Sequence, residues 1–599
     1  MPKRIEDYAL IGDCESAALV GCDGSIDWLC WPRFDSGAIF AALLGNEENG
    51  RWTLTAADKG AKVTRRYRGN TLILETLIET AGGAATVIDF MPLRESGTGH
   101  LIRLVQGRRG RVEMATELVL RFDYGLIVPW VTRIDGGLKA VAGPAMAVLR
   151  TAAPIEAEGY RHRGTFIVEA GETVSFVLSF ADSFGPVPAP AEPMRALDET
   201  GRGWQRWSEQ FSGGGPYSDA VLRSLIALKA LTYRITGGIV AAPTTSLPEE
   251  FGGVRNWDYR FCWLRDATFT LLALMNSGFR READDWRAWL HRAVAGSPQQ
   301  MQIVYGLGGE RRLTECEIPW LSGFEGSKPV RVGNAAADQL QLDVFGEVMD
   351  ALFQGSAGGL DSDREAWPLQ RTLVEHLEKV WHLPDEGIWE VRGGPRHFTY
   401  SKVMAWVALD RAIKMVERFG TEGPADRWRT LRAHIHDQVC KEGFDAKTGA
   451  FTQSYGSPEL DASALLIPLV GFLPASDPRV KSTAEAIGER LKAGRLIRRY
   501  DTHAGADGLK GGEGVFLACS FWYADNMALL GRREEARDLF EYLLTLRNDV
   551  GLLSEEYDPV SRCMLGNFPQ AFSHVALVNT AHNLDSWDKP AERRARSGG

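Results

Sequence analysis

The sequence predicts an α+β multidomain chain, with an N-terminal antiparallel β-sandwich followed by an all-α (α/α)6 barrel. Three observations predict it. The first third alternates apolar and polar residues with period two. A proline cluster then ends that pattern. Beyond the cluster lie about twelve segments of helical character, some apolar on most sides and others carrying a charged face.

In the first third, Val174, Phe176, Leu178 and Phe180 alternate with Ser175, Val177 and Ser179, and Leu118, Leu120 and Phe122 alternate with Val119, Arg121 and Asp123. Residues 71–80 and 85–90 are further strand-like runs, separated by the Gly82-Gly83 turn. Short alternating runs between turns read as a sandwich over residues 1–193. Pro186, Pro188, Pro190 and Pro193 make residues 184–193 stiff and extended. Residues 194–216 read as a linker, with Trp204, Trp207 and Phe211 on one face of a short helix and a Gly213-Gly214-Gly215-Pro216 turn after it.

Residues 217–587 are assigned to the barrel, with helices near 218–236, 265–277, 281–295, 334–354, 362–381, 400–418, 424–441, 460–472, 478–493, 515–530, 532–547 and 570–584. The segment 400–418 is mostly apolar, as an inner helix should be. The segment 424–441 carries Arg427, Arg429, Arg432 and Asp437, as an outer one should. Six inner–outer pairs would close a toroid. Residues 588–599 are polar and read as a disordered tail.

Composition narrows the function. A chain of 599 residues that is 44% hydrophobic, with 18 Trp, is folded. The nearly uncharged apolar run 464–475 is too short to cross a bilayer. A net charge of −10, thinly spread, argues against nucleic acid, which demands a concentrated basic face. Lys3 and Arg4 are followed by no apolar stretch, so no secretory signal and a cytoplasmic location are expected. Cys14, Cys22, Cys30, Cys262, Cys316, Cys440, Cys519 and Cys563 form no CxxC pair and read as reduced, mostly buried thiols. No HExxH and no phosphate-binding GxxxxGK[ST] loop occurs. His434 and His436 diverge on a helix, and His574 and His582 read as hydrogen-bonded helix histidines. No metal and no cofactor are expected, and the oligomeric state is not legible.

The long loops carry the chemistry. Arg255-Asn256-Trp257-Asp258-Tyr259-Arg260 leads to Trp263-Leu264-Arg265-Asp266 at a helix start. Gly387-Ile388-Trp389-Glu390 follows a helix, and Ser554-Glu555-Glu556-Tyr557-Asp558 precedes the last one. Indole faces stack on the C–H side of a pyranose, while Asp and Arg bind ring hydroxyls directionally. Glycoside cleavage then requires two carboxyl groups, one protonated and one ionised.

At these residues the chain resembles glycoside hydrolase family 15, which holds glucoamylases, glucodextranases and bacterial trehalases. Residues 23–35, Asp-Gly-Ser-Ile-Asp-Trp-Leu-Cys-Trp-Pro-Arg-Phe-Asp, resemble the opening of a trehalase-like N-terminal domain. Residues 255–266, Pro329-Val330-Arg331-Val332-Gly333-Asn334-Ala335-Ala336, and Gly512-Glu513-Gly514-Val515-Phe516 after Arg499-Tyr500 resemble the family's active-site stretches. The resemblance implies Glu390 as general acid and Glu555 as general base. Glu556 exchanges roles with Glu555 if the turn shifts by one residue. It implies Arg265 and Asp266 as holders of the terminal glucosyl unit, and Trp263, Trp389, Arg499, Trp257 and Arg331 around the pocket. Val391 stands where fungal glucoamylases carry a second acid. The implied activity is inverting hydrolysis of a small neutral oligosaccharide. Trehalose stands ahead of a glucoamylase-type exo-α-glucosidase on malto- or isomalto-oligosaccharides, and a disaccharide phosphorylase is the remote alternative.

Overall fold

The computed structural model describes residues 2–94, 97–360, 366–504 and 507–585. The tail at 588–599 lies outside them. The first part is one large antiparallel sheet of 15 strands, as the alternation predicts. Its organiser is the 21-residue strand Gly99–Val119. The first half of that strand pairs with Gly83–Phe90 and Thr173–Asp182, the second half with Arg51–Ala56 and Arg161–Glu169. The strand turns between the two sets at Gly107, where any side chain would meet the Glu169 carbonyl at 1.9 Å. The two halves of the sheet then face each other across aromatic contacts, with the Phe176 ring 6.2 Å from Trp52 and 5.5 Å from Phe166.

Two strand readings change. The run through Asp123 stops as a strand at Val119, because Asp123 and Tyr124 turn the chain at φ 50° and 57°. The polar side of the 174–180 alternation is also covered. Val177 joins Ile73, Ile88, Phe90, Ile102 and Leu104 under Leu197 of helix α1 (Pro193–Ser208). The linker helix is thus bolted to the sheet. Its Trp207 stacks on Phe279 of the helical part at 4.2 Å.

The helical part contains α2 (Ser218–Ala230), α3 (Ala267–Asn276), α4 (Arg280–Val294), α5 (Asp343–Ala357), α6 (Trp367–Val380), α7 (Thr399–Phe419), α8 (Ala425–Gln438), α9 (Leu466–Leu469), α10 (Pro478–Arg490), α11 (Leu517–Leu529), α12 (Arg533–Leu544) and α13 (Ala571–Asp585). Helices α3, α5, α7, α9, α11 and α13 are buried along most of their length. Each packs on the next in that order, and α13 returns to α3. Helix α12 buries one stripe only, Ala536, Leu539, Phe540 and Leu543, the i, i+3, i+4, i+7 pattern of an outer helix, whereas α2 is buried on most sides.

Three helices are shorter than their patterns suggest. Helix α2 stops at Ala230, and the chain doubles back where Thr232 bridges Ile239. The 460–472 run yields a 3-10 turn, Ala462–Leu465, and the four-residue α9, which contains Pro468, a residue with no N–H to extend a helix. The 334–354 run begins as helix only at Asp343. Before it, Asn334 caps a short turn, and the Leu342 N–H donates to Asp385 at 2.9 Å.

Connections alternate in length. Turns 277–279, 420–424 and 530–532 join an inner helix to the next outer one. Segments 231–266, 295–342, 381–398, 439–461, 491–516 and 545–570 run from an outer helix to the N-terminus of the next inner one. All six long segments therefore meet at one end of the helical part.

Of the cysteines, Cys14, Cys30, Cys262, Cys519 and Cys563 are buried, whereas Cys316 is exposed. His574 pairs with Ser224 and accepts from the Leu553 N–H, and His582 pairs with Ser277, so both are hydrogen-bonded as expected. No helix among the described residues is long and apolar enough to cross a membrane.

Candidate active site

Four of the six long segments, 231–266, 295–342, 381–398 and 491–516, line a small cavity walled by Glu249, Trp257, Tyr259, Trp389, Glu390 and Arg499, among others. Its free space is about 30 Å³, which suits a water molecule and is too small for a sugar. The rim is closed where the Arg392 N–H donates to the Asp507 carbonyl at 2.8 Å. A larger cleft of about 660 Å³ lies between the sheet and α1, but no Trp, Tyr or Phe lines it.

Glu390 is placed by its own backbone. Its φ of +52° is in the left-handed region, which costs a non-glycine residue roughly 1–3 kcal/mol and recurs at functional sites. The turn turns its carboxylate toward two donors. Trp263 Nε1 and Arg265 Nη1 both donate to Oε1 at 3.0 Å. Arg265 also donates to Asp266 Oδ1 at 2.9 Å, so Arg265 and Asp266 form a buried pair directly behind Glu390. Gln339 donates to the carbonyls of Glu390 and Val391, both at 3.2 Å, which holds the loop that sequence pattern reads as helix. Burial raises the Glu390 carboxyl above its usual range, while Arg265 and Arg499 oppose the rise.

Glu555 lies behind Tyr259, one layer back from the cavity wall. Its Oε2 accepts the Asn567 N–H at 3.1 Å, and Oε1 makes no hydrogen bond of good geometry among the described residues. Burial, and then Glu249, raise its carboxyl, against the effect of Tyr259 and Asn567. Donors therefore do not hold it down as the sequence reading expects. Gly566 fixes its position. At φ +71°, a Cβ there would lie 2.5 Å from Glu555 Oε2. Gly566→Ala is expected to cost about 1–2 kcal/mol of stability from the backbone alone and roughly 10²-fold in turnover through displacement of Glu555. Thermal unfolding and kcat measured together check this; unchanged kcat would contradict the positioning.

The other expected residues divide into wall and support. Trp389 and Arg499 are in the wall, with the Arg499 guanidinium 5.7 Å from the Trp389 ring centre and Trp389 Nε1 donating to buried Asp461 at 2.9 Å. Trp257 is also in the wall, held between Arg331 at 4.6 Å and Arg392 at 4.2 Å. Arg331 supports Trp257 from outside the cavity, and Glu315 pairs with both arginines. Trp263 and Arg265 donate to Glu390, Asp266 pairs with Arg265, and none of the three is among the residues lining the wall.

Sequence reasoning misses Glu249, Arg392 and Glu513. Glu249 accepts from Trp257 Nε1 and from Arg499 Nη2, each at 3.0 Å. Glu513 takes a bidentate contact from Arg499 at 2.9 and 2.6 Å. One oxygen each of Glu249, Glu513 and Glu556 lies within 4.8 Å of the other two, the grouping of ligand-type atoms found among the described residues, and Arg499 already neutralises two of them. The one signal for Glu513 is its Gly512-Glu513-Gly514 setting; Glu249 in Leu-Pro-Glu-Glu gives none.

The sheet supports the site from behind. Trp28 Nε1 donates to the Pro243 carbonyl at 2.8 Å, and Arg260, paired with Asp258, donates to the Phe34 and Ser36 carbonyls at 3.5 and 2.9 Å. The 23–35 motif thus buttresses the 255–266 stretch, and among the described residues none before Glu249 lines the cavity.

Comparison with known proteins follows the same division. The model of glycosyl hydrolases family 15 matches residues 215–582, and a trehalase-like N-terminal model matches residues 1–182. A trehalase of Mycobacterium tuberculosis is 37% identical over 98% of this chain and 90% of that protein. A trehalase of Thermoplasma volcanium is 33% identical over 97% and 94%. The crystal structure of a bacterial glucoamylase complexed with acarbose superposes with a TM-score of 0.70, covering 99% of this chain and 96% of that one at 12% identity, so the two share a fold. Matched by the family model over most of its length and by such relatives nearly end to end, the chain belongs to glycosyl hydrolases family 15 and is a glycoside hydrolase.

Proposed function

We propose that the protein is a trehalase, hydrolysing trehalose with inversion by means of Glu390 as general acid and Glu555 as general base. The observation that carries the reading is Glu390. It is a half-buried carboxyl with a raised proton affinity in the wall of a cavity lined by Trp and Arg, with Glu555 behind the Tyr259 of the same wall. The trehalase relatives, similar over nearly the whole chain, support trehalose as the substrate. The ring of α3, α5, α7, α9, α11 and α13 inside six outer helices supports an (α/α)6 barrel over residues 217–587, with residues 1–193 as a β-sandwich domain and 194–216 as linker. We place the enzyme in the cytoplasm, acting on a small neutral sugar without cofactor or metal.

In this scheme protonated Glu390 gives its proton to the glycosidic oxygen as the C–O bond breaks. Glu555 takes a proton from the water whose oxygen bonds to the anomeric carbon from the other face. Both carboxyls then return to their starting states by exchange with solvent. Arg265 and Asp266 hold the glucosyl unit, and Trp389 stacks on sugar.

A panel of trehalose, maltose, isomaltose and soluble starch, followed by proton NMR in the first minutes, tests the reading. Trehalose should be cleaved fastest and release α- and β-glucose in equal amounts, one from each half. Initial α-glucose alone would refute inversion, and phosphate-dependent glucose 1-phosphate would indicate a phosphorylase. The raised Glu555 carboxyl also sets a pH dependence. A base with raised proton affinity is lost as pH falls through its raised value, so the acidic midpoint of kcat/KM should lie above ~4.3, the value of an unperturbed Glu. A midpoint at or below that value would contradict the environment described for Glu555.

A further inference from the structure

Glu555 and Glu556 are neighbours in sequence but not in setting. Glu556 begins the strand Glu556–Asp558, paired with Val515–Phe516 on one side and Cys563–Leu565 on the other. Its side chain is fully buried, and among the described residues neither carboxylate oxygen has a hydrogen-bond partner. It faces Glu249 and Glu513, with one oxygen of each of the three within 4.8 Å of the others.

The nearby charges do not balance if all are ionised. The positive charges are Arg499 and Arg255. Arg499 donates to both Glu513 and Glu249. Arg255 Nη2 donates to Asp507 at 2.6 Å, with its Nη1 at 3.5 Å from Glu513 and 3.9 Å from Glu249. Two cations already face three carboxylates before Glu555 and Glu556 are counted. The titratable groups around Glu556 are Glu249 from the segment before α3, Glu513 and Arg499 from the segment before α11, Cys519 from α11 itself and Glu555 from its own segment. None but Arg499 is a cation, and its Nε and Nη2 donate to Glu513 and Glu249. A charged Glu556 would be dry, unpartnered and repelled from two sides.

From this arrangement we infer that Glu556 is a positioning residue that stays protonated in the working enzyme, and that its neutrality leaves the adjacent Glu555 free to ionise as base. The inference rests on the reading of Glu555 as the base. A proton on Glu556 turns two like-charge contacts into contacts between a donor and acceptors. It also leaves one negative charge fewer beside Glu555, whose ionisation burial and Glu249 already oppose. Two adjacent carboxyls in different protonation states follow from environment alone, as paired acids in glycosidases do.

Infrared difference spectra of the whole protein at neutral pH, wild type minus Glu556→Gln, read the protonation directly. The expected result is a wild-type carboxylic-acid C=O band missing from the variant, with carboxylate bands unchanged. Loss of carboxylate bands instead would overturn the inference. The second readout is the acidic limb of kcat/KM. Gln is the neutral isostere of the protonated acid, so the midpoint should move by less than about 0.3 pH unit. A fall of about one unit would mean that a like charge had been removed from beside Glu555, and would also overturn it. If Glu556→Gln does not fold, Glu556→Met, of similar length and uncharged, takes its place in both measurements. Glu555→Gln separates the two readings. If it remains active, the base assignment fails whatever the state of Glu556; if it is inactive while Glu556→Gln loses carboxylate bands, only the present inference fails.

Discussion

Glu390→Gln should lower trehalose turnover by about 10²–10⁴-fold, the usual worth of a general acid, while leaving the fold intact. Gln keeps an oxygen for Trp263 Nε1 and Arg265 Nη1, so the two 3.0 Å contacts persist without the transferable proton. A leaving group that needs no proton exposes the cause. With α-glucosyl fluoride the loss should be far smaller, because fluoride departs unaided. The basic limb of the pH profile should also vanish, since it reports loss of the Glu390 proton, which burial retains to higher pH than an ordinary glutamate would. Wild-type turnover of trehalose by folded Glu390→Gln would remove Glu390 from the mechanism.

Glu555→Gln should be as damaging and less selective. The amide oxygen can still accept the Asn567 N–H, so thermal unfolding should change little. Without a base to take its proton, the water is a poor nucleophile for either substrate, and trehalose and the fluoride should both suffer about 10²–10⁴-fold. The pair of variants therefore separates the two roles: one loss is rescued by a better leaving group and the other is not. Near wild-type turnover of a folded Glu555→Gln sample would sink the assignment.

Much of the fold is legible because its signals are local. Alternation marks the strands, and stripes such as Ala536, Leu539, Phe540 and Leu543 mark the outer helices. The failures are places where distant groups decide. Ala335-Ala336-Ala337 has high helix propensity, yet Asn334 ties the segment to the Asp258 carbonyl and Gln339 ties it to the Glu390 carbonyl. The site follows the same rule. Glu390 beside Trp389 and Arg265 beside Asp266 stand out because charge next to aromatic residues in long loops is unusual. Glu249 and Glu250 are identical letters, one buried and the other exposed. Glu555 and Glu556 could equally have been a solvated acidic turn, and both are buried. Burial of a loop carboxylate is created by the other five loops, and a single stretch of sequence does not contain it.

The two ends of the helical part differ in what they can tolerate. Every residue assigned to the site lies on the long-segment end, while the opposite end is closed by turns as brief as 277–279 and 530–532. Engineering can treat that end as a handle. A peptide tag or surface-immobilisation anchor inserted at 420–424 or 530–532 meets solvent and short backbone spans, at a site remote from the cavity. Exchange of a single long segment, by contrast, alters what is recognised while the helices beneath remain as scaffold. Changes in sugar preference among proteins of this architecture should therefore accumulate on one end of the molecule, and the other end offers the place to attach it to an electrode, a bead or a second enzyme.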